Sequence, residues 1–423
     1  MTLLRASLLS GIVTVARIAS GLVLNKLYAL VLGPAGLAIV GQFTTFASMT
    51  YGLSTAGLGN GVTRYVASNP PNLPAILGTA FAACSTVTMI ASLVLISIPA
   101  DLAQWLLGSA NHGAAIALVA LSNLVIAPSA LLLATLNGQR DLRAVTLFGL
   151  LGVGLSLCVT IALTLTLGLF GALIAQAIAQ ALLGIVLIGY FWRHRYLSRL
   201  DFSLPDITAL RTLLQYSLMS IVAALALPLA LIGIRNHIAE TLSWNDVGYW
   251  QGMWRISEVY MLAVTGALTT YLLPRFSELS TSQELRRELI DAFKLLVPMI
   301  AVFGFTIYAF RHMVIRILFD ERFHAMADLF AFQLIGDVAK IAAWILAYML
   351  IAKSMTTAYI VLEIVFVSMF VLLTFNLVDR FGLIGATYAY AITYFFNFVV
   401  LALIVRRYLA KLQAHEPNPN AAA

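Results

Sequence analysis

Arg17, Lys26, Arg255, Glu258, Asp337, Lys340 and Glu363 are ionisable side chains set inside long apolar runs. Within a bilayer such residues mark substrate or ion pathways, proton relays or internal ion pairs. Arg17 stands near the middle of SLLSGIVTVARIASGLVLNKLYALVL, residues 7–32. At about 1.5 Å of helical rise per residue it lies near mid-bilayer, where a cation costs about 2.5 kcal/mol or more. Ser10, Thr14, Arg17, Gly21, Asn25 and Tyr28 recur at spacings of three and four, so they share one helix face, which can line a cavity rather than meet lipid. Lys26 lies one step off that face, nearer the far end, from which it can snorkel to an interface.

Arg17 has two chemistries open to it. It can bind an anionic substrate group, because the planar guanidinium meets phosphate oxygens bidentately and keeps its charge on desolvation. It can instead be held structurally, by backbone carbonyls, hydroxyls and water, or by a bridge to Glu258 or Glu363. The other intramembrane charges come largely in balanced pairs. Arg255 and Glu258 stand three apart, as do Asp337 and Lys340, with Gln333 and Trp344 continuing the second stripe. Glu363 is the extra carboxylate: it could exchange a proton or sodium as the protein changes shape, or pair with Lys340. No acidic residue falls in the spans that accompany Arg17.

These residues must be positioned by membrane-spanning helices. The chain has 423 residues, 61% hydrophobic and only 10% charged, which excludes a soluble globular domain and points to an all-α polytopic membrane protein. The apolar runs lack the alternation of barrel strands. Twelve spans are expected, at about 7–32, 37–58, 75–98, 114–136, 145–167, 170–191, 214–235, 249–272, 290–310, 330–352, 358–378 and 383–405. The first run is too long for a signal peptide and carries Arg17 centrally, so an uncleaved first helix is expected. Arg5, Arg64, Arg140, Arg143, Arg193 and most of the remaining Lys and Arg outside the spans fall in alternate connections, which places those connections and both termini in the cytoplasm. Arg235, Arg311, Arg316, Arg322 and Arg380 fall on the opposite side.

The organisation expected is a first lobe at 1–191, a basic cytoplasmic linker at 192–213, a second lobe at 214–405 and a polar, disordered cytoplasmic tail at 406–423. The linker, with Arg193, Arg195, Arg199 and Arg211, could set topology or lie along anionic headgroups. Cys84 and Cys158 both fall inside spans and read as apolar packing rather than a disulfide or metal site. The outer stretch 311–329, with His312, Asp320, Glu321, His324 and Asp328, reads as an amphipathic interfacial helix. Polar faces recur in span two (Thr44, Ser48, Tyr51, Thr55), span six (Gln176, Gln180) and span twelve (Thr387, Tyr390, Tyr394, Asn397), which favours a wet interior. No phosphate-binding Gly-Lys-Ser/Thr loop, GxSxG or HExxH occurs, so neither catalytic residues nor a metal nor another cofactor is expected.

GPAGL (33–37), NGVTRYVA (60–67), SWNDVGYWQG (243–252), YLLPRFSEL (271–279), AMADLFAFQLIGDVAK (325–340) and IAKSMTTAYIVLE (351–363) give the chain, over nearly its whole length, a family likeness. It resembles the Wzx-type lipid III flippases of enterobacterial common antigen synthesis, within the multidrug/oligosaccharidyl-lipid/polysaccharide exporter superfamily. The resemblance implies two six-helix lobes around a central cavity. The implied substrate is an oligosaccharide on undecaprenyl pyrophosphate, moved from the inner to the outer leaflet of the bacterial inner membrane by alternating access. Arg17, Lys26 and Arg64 fall where such flippases carry basic residues, and Asp337, Lys340 and Glu363 fall in matching motifs; Arg17, Lys26, Arg64 and Arg255 are the expected substrate contacts, Glu258, Asp337, Lys340 and Glu363 the expected coupling or ion-pair residues, and a proton or sodium gradient acting through Glu363 is the expected coupling. Arg255 departs from the family pattern, where a small polar residue is expected. Membrane lipids and other glycan-assembly membrane proteins are the implied partners, with no nucleic acid. A cation antiporter of the same superfamily is the alternative, although such substrates call for acids in the first lobe; a polymerase or ligase would call for a large outer loop that this chain lacks.

Overall fold

A computed structural model of the chain describes residues 3–55, 57–194 and 207–415. The basic connection falls mainly, and the end of the tail wholly, outside the described residues. Every regular element among the described residues is helical.

Two helices of 52 residues each, α1 (Leu3–Ser54) and α6 (Leu142–Arg193), account for four of the expected spans. Unbroken, each would run for about 78 Å, more than twice the roughly 30 Å apolar core of a bilayer. Each is interrupted at one glycine. Gly33 takes φ 71°, ψ −170° ahead of Pro34, and Gly168 takes φ 60°, ψ −135°, conformations that a side chain makes costly. The breaks fall where the hydropathy pattern separates spans one from two and five from six. Between them lie α2 (Leu58–Ser68), α3 (Leu73–Ser97), α4 (Pro99–Leu107) and α5 (Gly113–Gly138). Helix α7 (Ile207–Thr241) follows α6.

The remaining helices are α8 (Trp244–Ala267), α9 (Leu273–Glu278), α10 (Ser282–Ala309), α11 (Arg311–Leu318), α12 (Phe330–Ala352), α13 (Thr356–Phe381) and α14 (Ile384–His415). A π turn, Leu268–Leu272, joins α8 to α9. Local sequence explains several starts. Ser243 caps α8 by accepting from the Asp246 backbone N–H at 3.2 Å. Thr281 and Glu284 form a reciprocal capping box at the start of α10. Nine stretches among the described residues are apolar and long enough to cross a bilayer, those of α1 and α6 each holding two spans, and α7 contains the expected seventh.

The chain forms two compact units, Met1–Asn236 and His237–Ala423. In the first, α5 packs against α3 and α6 over a core that includes Leu77, Phe81, Leu131, Phe148 and Phe191. In the second, α12 is central, packed against α14, α10, α13 and α8. Gly336 makes the α12–α14 approach possible: a Cβ there would come within 2.4 Å of Tyr390 Cδ1 and 3.1 Å of Ala391 Cα. The stretch 311–329, expected as one amphipathic helix, is not one helix. It divides into α11 and a 3₁₀ run, Glu321–Leu329, because the Asp320 carboxylate accepts from the Glu321 backbone N–H and from Arg322 Nε, each at 2.6 Å.

Candidate functional site

The first unit contains a cavity of about 490 Å³ between the first length of α1, both lengths of α6 and α5. Arg17, Ser20, Gly21 and Leu24 face it from α1, and Ser156, Gln176 and Gln180 from α6. Spacing explains the convergence: Arg17 and Gly21, and Gln176 and Gln180, are four residues apart on their helices. Arg17 is the one charged residue in the lining among the described residues. Its side chain is exposed and makes no hydrogen bond or ion pair with the described residues of its unit. The cavity thus combines a fixed cation with uncharged hydroxyl and amide groups, the chemistry of an anion-binding pocket with neutral polar walls.

The polar wall continues away from the cavity. Gln176 Nε2 donates to the Tyr28 hydroxyl at 2.9 Å, and its Oε1 accepts from Thr44 Oγ1 at 3.5 Å. Span one, span two and span six are therefore tied together by side chains that the sequence places on polar faces. Lys26 is half-buried on α1 and Arg64 is exposed on α2; neither lines the cavity.

Arg235 sits differently from its expected place in an outer connection. It is buried, 2% exposed, within α7, where it donates to Thr45 Oγ1 at 2.9 Å and Gln42 Oε1 at 3.4 Å. Gln42 Nε2 in turn donates to Asn236 Oδ1 at 2.8 Å. The polar Gln42 within span two was the available signal for this network, and hydropathy averaging concealed it.

In the second unit, Asp337 is fully buried on α12. It accepts hydrogen bonds from Ser257 Oγ at 2.7 Å, from the Tyr390 hydroxyl at 2.7 Å and from the Tyr260 hydroxyl. Three donors from α8 and α14 thus satisfy a carboxylate that would otherwise be costly to bury. Lys340 makes no contact ion pair with it and acts on it at longer range, so the pair expected from their spacing is not a direct bridge. The ammonium instead faces four aromatic rings, with Nζ 4.9 Å from the centroid of Tyr394, 5.0 Å from Trp344, 5.4 Å from Trp254 and 5.5 Å from Tyr390. Trp344 and Tyr394 lie on expected polar stripes, while Trp254, Ser257 and Tyr260 carried no distinguishing signal.

Arg255 and Glu258 do pair, at 3.1 Å, and Trp254 Nε1 donates to the other Glu258 oxygen at 3.0 Å. Glu363 is exposed on α13 and makes no hydrogen bond or ion pair with the described residues of its unit; Lys340 acts on it only at longer range. His312 and His324 bring their rings within 5.1 Å, yet no cluster among the described residues has the ligands for a metal ion.

Paired spans, a lined polar cavity and buried charges within an all-helical chain define a membrane transporter of the multidrug and polysaccharide exporter type. Its fold is shared with an inward-facing multidrug resistance MATE family transporter of the MOP superfamily, at a TM-score of 0.80 and 17% identity, over 95% of this chain and 96% of that one. A family model described as polysaccharide biosynthesis protein matches residues 27–328. The chain is 33% identical over 403 residues to the lipid III flippase of Escherichia coli (strain K12), covering 94% of this chain and 97% of the relative, and equally so to that of Shigella flexneri. It belongs to the polysaccharide biosynthesis protein family that includes these flippases, and its role is that of a flippase, a transporter rather than an enzyme.

Proposed function

We propose that this flippase carries an undecaprenyl-pyrophosphate-linked oligosaccharide, of the lipid III kind, from the inner to the outer leaflet of the bacterial inner membrane by alternating access. The observation that carries the reading is the cavity of about 490 Å³ in which Arg17 is the one charged lining residue among those described. An intramembrane arginine that makes no ion pair with the described residues of its unit is stabilised by a ligand anion, and a pyrophosphate offers the geometry its fork requires. The polyprenyl tail remains in lipid while the sugars occupy the polar remainder of the cavity. The antiporter alternative is not favoured, since a cationic substrate would meet Arg17 at close range. Both termini are cytoplasmic in this reading, from the distribution of Lys and Arg. Glu363 is the candidate coupling group for a proton or sodium gradient, and the six-and-six division of spans at the basic connection supplies the lobes that alternate.

Arg17→Ala tests the reading in reconstituted vesicles. Leaflet transfer of the lipid-linked glycan, scored by a membrane-impermeant reagent, should fall by about tenfold or more. The protein should insert and purify as before. Undiminished transfer would refute the role given to Arg17.

A further inference from the structure

The second unit has a cleft of its own, about 310 Å³, between α10 and α12. Ala301, Gly304, Phe305 and Tyr308 of α10 face it, as do Leu334 and Ile335 of α12. Spacings of three and four put each set on one face of its helix. Room is left where Ala301 and Gly304 stand in place of larger side chains. Phe305 and Ile335, 72% and 60% exposed, form apolar lips, and the Tyr308 hydroxyl is the one polar side-chain group in the lining among the described residues. A water there would find too few partners, whereas an alkyl chain meets a matching wall.

Charge stands at one end of this cleft. The Arg311 guanidinium lies 4.5 Å from the centroid of the Tyr308 ring, and its Nη1 donates to the Tyr308 carbonyl at 3.0 Å. Those two contacts fix the fork at the cleft's end and leave most of its five N–H donors for a ligand. Arg311 makes no ion pair with the described residues of its unit. Helix α11 contains Arg311 and Arg316 and no carboxylate, and it exposes Met313 and Ile317, the composition of a helix lying among anionic headgroups. Depth agrees with this placement. Ala301 precedes Phe310 by nine residues, about 14 Å along α10, close to half the roughly 30 Å apolar core of a bilayer. We propose that the cleft holds one acyl chain of an anionic phospholipid, of the phosphatidylglycerol type, whose phosphate is bound by Arg311. A zwitterionic lipid fits less well, because its own ammonium competes with Arg311 for the phosphate. The site belongs to the second unit and does not depend on the flippase reading.

Native mass spectrometry of the full-length protein, titrated with phosphatidylglycerol or with phosphatidylcholine of the same chains, provides the test. The wild type should bind its first phosphatidylglycerol about fivefold more tightly, the contribution of one arginine near an anionic headgroup. Arg311→Ala should bring the ratio to about one, while Arg287→Ala, an exposed cation toward the other end of α10, should leave it unchanged. Ala301→Phe and Gly304→Leu each fill the cleft and should weaken phosphatidylglycerol binding about tenfold. Both sites accept a larger group: Ala301 is exposed, and a Cβ at Gly304 would lie in ordinary contact, 3.8 Å from Leu334 Cβ. Equal affinities in the wild type, a preference that survives Arg311→Ala, or unaltered binding in the filled variants would overturn the proposal. Displacement of bound phosphatidylglycerol by equimolar undecaprenyl phosphate would assign the cleft to a polyprenyl tail. A dimer abolished by Ala301→Phe would assign it to a second copy of the chain. Either result would overturn the phospholipid assignment as well.

Discussion

Removing the Tyr390 hydroxyl isolates one hydrogen bond to a buried carboxylate. Tyr390 is 1% exposed, its ring packs against Trp254 and Phe370, and its hydroxyl donates to Asp337 Oδ1 at 2.7 Å. Tyr390→Phe keeps the ring, its packing and its face toward Lys340. A hydrogen bond to a charged group contributes about 1.5–3 kcal/mol, whereas one between neutral groups contributes about 0.5–1.5 kcal/mol. The substitution should therefore destabilise the second unit by about 2 kcal/mol. In an Asp337→Asn background the same change should cost about 1 kcal/mol less, a non-additivity that a double-mutant cycle measures. Tyr394→Phe is the control, since the Tyr394 hydroxyl makes no hydrogen bond among the described residues; it should cost under about 0.5 kcal/mol. Reversible unfolding in mixed micelles, followed by tryptophan fluorescence, provides the assay. Additive effects of the Tyr390 and Asp337 substitutions would refute the assignment of Tyr390 as a donor to Asp337.

Gly168→Ala forces a Cβ onto a residue at φ 60°, ψ −135° and should destabilise the first unit by about 1–3 kcal/mol, visible as an earlier unfolding transition. Nothing lies within 4 Å of the added Cβ, so the penalty is conformational rather than steric, and an Ala substitution at Gly154, equally open but helical, should be neutral or slightly stabilising. Glu363→Gln should leave insertion unchanged and abolish the response of transfer rate to an imposed proton or sodium gradient; an unchanged response would remove Glu363 from coupling.

Hydropathy located the spans because the bilayer imposes both a length and a composition on them. It also separated spans one from two at Gly33 and five from six at Gly168, although it could not distinguish a loop from a single-residue break. Arg17 was legible for a related reason: a charge within an apolar run has few explanations; of the face expected around it, Gly21 shares the cavity wall, whereas Thr14, Asn25 and Tyr28 do not line it and Ser20 and Leu24 do. Asp337 and Lys340 were legible as intramembrane charges but not as partners of other groups. Their donors and rings come from α8 and α14, far apart in the chain, and spacing within α12 carries no information about them. Arg235 was misplaced because a side chain at the end of a span reads equally well as an interfacial anchor and as a buried network member. The stretch 311–329 followed its amphipathic pattern except at Asp320, whose side chain competes for the backbone donors that one continuous helix would need.

The breaks at Gly33 and Gly168 leave no slack between the helices they join. A surface loop absorbs an inserted epitope, a protease site or a few extra residues because its ends can shift independently. A one-residue break within helical backbone offers no such play, so a rotation imposed on one span is delivered to the next. These two corners of the first unit are thus poor places for tags and proteases, and good places to lock: a restraint applied to either member of a joined pair immobilises both.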